Sequence, residues 1–100
     1  MDLYDVKVFP TAQTDIIEIT KDPCERSSGR VPQFLEALMD AADILRIAPE
    51  QFPPAKDIQF RLRGYRILPV GDYIGFYTVR EKTVGLCRLF FARDMREDLF

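Results

Sequence analysis

Apolar and polar positions alternate at the start of the chain. Leu3, Asp5, Lys7 and Phe9 fall on one parity, and Tyr4, Val6 and Val8 on the other. A period of two predicts a short, half-buried strand, and Pro10 ends it. The period then lengthens. Ala12, Ile16 and Ile19 lie at helical spacing. Thr11 suits an N-cap, and Asp15 suits the first turn, where the helix dipole favours a carboxylate. A helix over residues 11–21 is predicted, stopped by Asp22-Pro23. Past Ser27-Ser28-Gly29, Pro32 suits a first helical turn, and Phe34, Leu35, Leu38, Ala41, Ala42 and Leu45 form a second apolar stripe. They predict the longest helix, over Val31–Ile47, ended by Pro49. Two consecutive helices with a short link form an antiparallel αα-hairpin.

The segment "APEQFPPAKD" holds three prolines and reads as a loop within one domain that spans residues 1–100. Three strand-like runs follow, over residues 58–70, Tyr73–Arg80 and residues 83–92. Gly71-Asp72 suits a tight hairpin, because glycine tolerates positive φ. Glu81-Lys82 is a poor turn pair, so that turn rests on the strands beside it. Pro69 places its strand at an edge or on a bulge. Residues 93–100 read as one helical turn or a closing tail. The predicted order is β-α-α-β-β-β. This is an α+β fold: an N-terminal strand, a two-helix hairpin, then a three-stranded antiparallel meander, together giving a four-stranded twisted sheet.

A two-helix hairpin shields one face of such a sheet, and the other face should turn polar. Here both are apolar. Tyr73, Tyr77 and Val79 oppose Ile74 and Phe76 in one strand, and Cys87, Leu89 and Phe91 oppose Val84, Leu86 and Phe90 in the next. An apolar second face predicts a docking surface for another chain, with Ile74, Phe76, Leu86 and Phe90 as its residues. The alternative is that the tail and the proline loop fold over it, or that the sheet curls.

Composition narrows the chemistry. The apolar fraction of 47% and charged fraction of 30% are those of a globular protein. No apolar run reaches the roughly 20 residues that span a bilayer, and the acidic start lacks the pattern of a secretory signal. A cytoplasmic protein with no membrane partner is expected. Histidine is absent, and the two cysteines, Cys24 and Cys87, share no metal-binding spacing. A Cys/His metal site or a Cys-His nucleophile pair is excluded, and no cofactor is expected. Cys87 reads as a small buried apolar residue. Net charge is −2 but segregated: residues 1–55 carry 5 basic and 10 acidic side chains, and residues 56–100 carry 9 and 6. Arg61, Arg63, Arg66, Arg88 and Arg93 are the candidate contacts for an anionic or protein target. Charged strand edges that deter aggregation are the plainer reading.

The stretches "LRGYRILPVGDYIGFYTV" and "VGLCRLFFARDMREDLF", with "YDVKVFPTAQTDIIEI" before them, resemble the RelE/ParE superfamily of bacterial type II toxins. The likeness runs over essentially the whole chain. It implies a growth-inhibiting toxin of the plasmid-stabilisation type, encoded beside a cognate antitoxin and bound to it in a hetero-oligomer. A disordered antitoxin segment that folds on the toxin would cover the second sheet face. RelE-like members are metal-independent endoribonucleases that cut messenger RNA on the ribosome. ParE-like members act on DNA gyrase and are not known as nucleases.

The resemblance carries over a sparse nuclease set. Arg66 in "GYR" and Arg93 in "ARD" match basic positions of the nuclease members; without histidine, the proton shuttles available in the chain are Tyr65, Tyr73, Tyr77, Lys56, Lys82 or a carboxylate. Ile74 stands where an arginine is common, and Phe91 where histidine or tyrosine is common. Cleavage through a ribose 2′-hydroxyl needs proton transfer as well as charge stabilisation. Arginine supplies the second but is a poor proton shuttle. The C-terminal "ARDMREDLF" is similar to the ParE-like branch. A gyrase-binding, non-enzymatic toxin is therefore the favoured expectation. A ribosome-dependent nuclease, or an inactive relative that serves as a binding module, is the alternative.

Overall fold

The computed structural model describes residues 3–21 and 31–91. Its elements are β1 (Asp5–Val8), α1 (Pro10–Lys21), α2 (Val31–Ile47), α3 (Ile58–Leu62), β2 (Arg66–Val70), β3 (Tyr73–Arg80) and β4 (Thr83–Phe91). The sheet order is β1-β4-β3-β2. β2, β3 and β4 form the expected antiparallel meander, and β1 returns to pair parallel with β4. The α+β class and the four-stranded sheet are as the sequence predicts.

One element differs. Residues 58–70 are not one strand, because a five-residue helix precedes β2. Its signals are local. The Asp57 carboxylate accepts hydrogen bonds from the backbone N–H groups of Gln59 and Phe60, as an N-cap does. Gly64, with φ of +87°, closes the other end in the left-handed region that glycine reaches without strain. Arg61 and Arg63 thus belong to α3 and its C-cap, and do not share a strand face.

α1 also starts one residue earlier than expected. Pro10 is its first residue, and the Thr11 hydroxyl donates across to the Cys87 carbonyl at 2.6 Å instead of capping the helix. Asp15 lies beyond the first turn. Its carboxylate accepts from the Arg88 guanidinium at 2.8 Å and from the Leu89 backbone N–H at 2.9 Å.

The main core lies between the helices and one sheet face. Ala12, Phe34, Ala41 and Leu45 meet Leu68, Val70, Tyr73, Tyr77, Val84, Leu86 and Leu89. Leu86 and Leu89 share this face because β4 carries an extra residue. Tyr77 pairs with Leu86 while Phe76 pairs with Arg88, so Cys87 has no partner of its own. A bulge of this kind resets the alternation. It corrects the expectation that Leu86 belongs with Phe90 on a docking face: Leu86 is buried under the helices.

The proline loop is fastened to β3 and to the edge strand β2. The Tyr77 phenol, fully buried, donates to the Pro49 carbonyl at 2.6 Å. The Arg66 guanidinium donates to the Phe52 carbonyl at 2.6 Å and to the Glu50 carbonyl at 3.4 Å. Ile67 N–H donates to Pro53, and Ala55 N–H to Tyr65. These bonds cover part of the outer edge of β2, which would otherwise offer open backbone groups.

Candidate functional site

The second face of the sheet is covered at one end by the chain itself. α3 sets Phe60 against Phe76 with ring centroids 5.6 Å apart. Tyr65 lies 5.8 Å from Phe60 and 6.2 Å from Phe76, and Phe90 completes the group at 6.0 Å from Phe76. Phe76 is left 8% exposed. Of the four residues expected to face a partner, Leu86 lies on the helix side, Phe76 is buried by α3 and Tyr65, and Ile74 and Phe90 remain half-buried on the second face. The expectation missed α3 as a cover.

Beyond this aromatic group the same face opens into a cleft of about 620 Å³. Its floor follows from strand register. Thr78 lies across from Gly85, and Arg80 across from Thr83. In an antiparallel pair, directly opposed residues share a face, as do residues two apart along one strand. Cys87, two beyond Gly85, also lines the cleft. The α3 end supplies one wall with Leu62, Arg63, Gly64 and Tyr65, and Phe9 stands on the other side. Phe9 is placed by its backbone N–H, which donates to the Leu86 carbonyl at 2.9 Å.

The electrostatics are one-sided. Among the described residues, two guanidiniums line the cleft and no carboxylate does. Among the described residues, neither Arg63 nor Arg80 has a carboxylate partner. Burial pushes the Cys87 thiol up from its ordinary value, against the opposing pull of the Thr78 hydroxyl and the Arg80 charge. A thiol so placed is a neutral, weakly reactive group. No cluster of cysteine, aspartate or glutamate suited to a metal ion occurs among the described residues, and no helix there is long and apolar enough to cross a membrane.

The residues singled out in the sequence divide sharply. Tyr65 and Arg63 line the cleft. Arg66 does not: it sits across from Tyr77 on the helix-side face, and its guanidinium is engaged with loop carbonyls. Arg66 and Tyr65, expected together in a nuclease centre, thus lie on opposite faces. Arg88 is tied to Asp15 on α1, with its guanidinium 4.7 Å from the Phe90 ring. Arg61 is exposed in the last turn of α3. Arg93 and Cys24 lie outside the described residues. The sequence reading counted Arg80 in the basic second half without singling it out, and it missed Thr78 and Thr83. Their signal was period two: Thr78 and Arg80 alternate along β3, and Thr83 and Gly85 along β4. The apolar residues between them masked it.

A sequence model of the ParE toxin of the parDE type II toxin–antitoxin system matches residues 6–95. No curated protein matches the chain significantly. Solved structures that resemble it include a chromosomal ParDE toxin–antitoxin system from P. aeruginosa, with TM-score 0.64, 13% identity, and coverage of 86% of this chain and 92% of that one. The RelBE2 toxin–antitoxin complex from Mycobacterium tuberculosis gives TM-score 0.62 at 23% identity over 91% and 93%. YafQ from E. coli gives TM-score 0.61 at 16% identity over 91% and 96%. At these identities the likeness is one of fold.

Proposed function

The chain belongs to the family of ParE toxins of type II toxin–antitoxin systems, and on that footing we propose that it arrests growth by binding a protein target, DNA gyrase, and is held inactive by a cognate antitoxin. The observation that carries this reading is the make-up of the cleft. Its described lining offers two guanidiniums, hydroxyls, the Tyr65 phenol and a thiol held protonated, but no imidazole and no carboxylate. The whole chain lacks histidine. Guanidinium groups bind carboxylates and phosphates well, yet stay charged throughout a reaction cycle. Such a surface is suited to recognition more than to acid–base chemistry.

The antitoxin partner is supported by the toxin–antitoxin complexes among the similar structures. The place of action that goes with this reading is the cytoplasm. The test is a supercoiling assay with purified gyrase. Inhibition at micromolar toxin, relieved by the antitoxin encoded beside it, is the expected result. Unimpaired supercoiling at that dose would remove gyrase as the target.

One observation favours a second reading, a ribosome-dependent endoribonuclease. Arg63, Arg80 and Tyr65 line the same cleft, so charge stabilisation and a phenol proton are available side by side. Primer extension on translated message would then show cuts that vanish in both Arg80→Ala and Tyr65→Phe. An unbroken message profile during growth arrest excludes it.

A further inference from the structure

We propose that the cleft between Arg63 and Arg80 seats an acidic, extended segment of the protein target, with carboxylates on the two guanidiniums and an apolar side chain between Leu62 and Phe9. This deepens the target-binding reading above and rests on it.

Charge complementarity is the first argument. The chain carries net charge −2, yet the described residues that line this concavity include Arg63 and Arg80 and no acid. Guanidinium and carboxylate form paired, charge-assisted hydrogen bonds, and these gain strength as water is displaced from a cleft. The Thr78 and Thr83 hydroxyls on the floor add neutral hydrogen-bonding groups.

The second argument separates a peptide from a nucleic acid. Leu62 is 78% exposed and Phe9 40% exposed at the walls. Exposed apolar groups beside cations that have no carboxylate partner among the described residues match a segment that mixes acidic and apolar residues. Nucleic-acid affinity comes from many phosphate contacts at once, and an acidic chain with two cleft arginines is poorly built to supply them.

The third separates the target from a permanent partner. Long-lived interfaces are the more apolar ones. The exposed residues Leu35, Met39 and Ile47 of α2 provide such a surface on the helix side of the sheet. The cleft on the opposite side, where charged and apolar groups are mixed, suits a transient contact.

The experiment has two independent readouts. In the first, the purified chain is titrated with a short fluorescent peptide alternating Glu and Leu, with its Gln/Leu counterpart, and with a short single-stranded RNA. The acidic peptide should bind most tightly. Roughly tenfold should be lost with the Gln/Leu peptide, and again in Arg63→Gln and in Arg80→Gln. Lys21→Gln, on α1, should match the parent. RNA binding as tight as the acidic peptide, equal binding of the Gln/Leu peptide, or no loss in the arginine variants would each overturn the proposal.

In the second readout, the same variants are assayed against gyrase, with folding checked by thermal melting. Loss of inhibition in Arg63→Gln and Arg80→Gln supports the cleft as the target site, and retained inhibition overturns it. If the parent chain leaves gyrase untouched but still binds the acidic peptide through Arg63 and Arg80, gyrase is the wrong target and the cleft assignment stands.

Discussion

The ring of Phe9 lies directly on Gly85, so close that a Cβ at position 85 would come within 2.4 Å of it. Glycine is needed at this point of β4 for space. Gly85→Ala should push the ring aside, and because Phe9 is 40% exposed the ring has room to swing outward. The cost should be modest, about 1–2 kcal/mol. In a Phe9→Ala background it should nearly vanish, giving a clear coupling energy in a double-mutant cycle of denaturant midpoints.

Asp15 joins α1 to β4 through two different kinds of bond. Arg88 is 45% exposed at its side chain, so losing it removes a screened ion pair, and Arg88→Ala should cost less than about 1 kcal/mol. Asp15→Ala also strands the partly buried Leu89 N–H, and should cost about 1–3 kcal/mol. The order of the two urea midpoints checks this, and equal losses would refute it.

Tyr77 gives the fold an alkaline limit. Burial pushes its phenol up to about 12, against the lowering influence of Arg66, while an unfolded tyrosine titrates near 10. Between these values the unfolded chain has released a proton that the folded chain keeps. Stability is therefore undiminished below pH 10 and falls above it, by about 1.4 kcal/mol per pH unit, up to about pH 12. Tyr77→Phe should abolish that slope. It should also lower stability at neutral pH by about 1–3 kcal/mol, because the buried Pro49 carbonyl loses its donor. Thermal melts of both proteins across this range test the sign and the window.

The β3–β4 turn is strained in one residue. Glu81 has φ of 55°, a region that costs a side-chain-bearing residue about 1–2 kcal/mol. Glu81→Gly should recover part of this, raising stability by about 0.5–1 kcal/mol despite the added freedom of the unfolded chain. A lowered melting temperature would show that Glu81 makes compensating contacts.

Much of the fold was legible because its signals are periodic. The stripe from Phe34 to Leu45 marks α2, and the runs around Gly71-Asp72 mark the hairpin. α3 was hidden because five residues are too few to show a period, and its signs were single residues, Asp57 and Gly64. The second sheet face was misread for the same reason. Phe60 and Tyr65, which cover Phe76, look like strand residues until the helix is recognised. The bulge at Cys87 defeated strict alternation, since one unpaired residue moves everything after it to the other face. Of the candidate site residues, Arg63 and Tyr65 reach the cleft. Arg66 was drawn away by backbone carbonyls of the proline loop, acceptors that a reading of side chains does not anticipate.

The parallel pairing of β1 with β4 joins the first and last of the described strands. During synthesis, β1 has no neighbour to hydrogen-bond until β4 has left the ribosome, and the α1 anchor through Asp15 waits for the same segment. Until then Thr78 and Arg80 have no Gly85 or Thr83 opposite them. The floor of the cleft is therefore assembled only once β4 has joined the sheet, however early β3 is made.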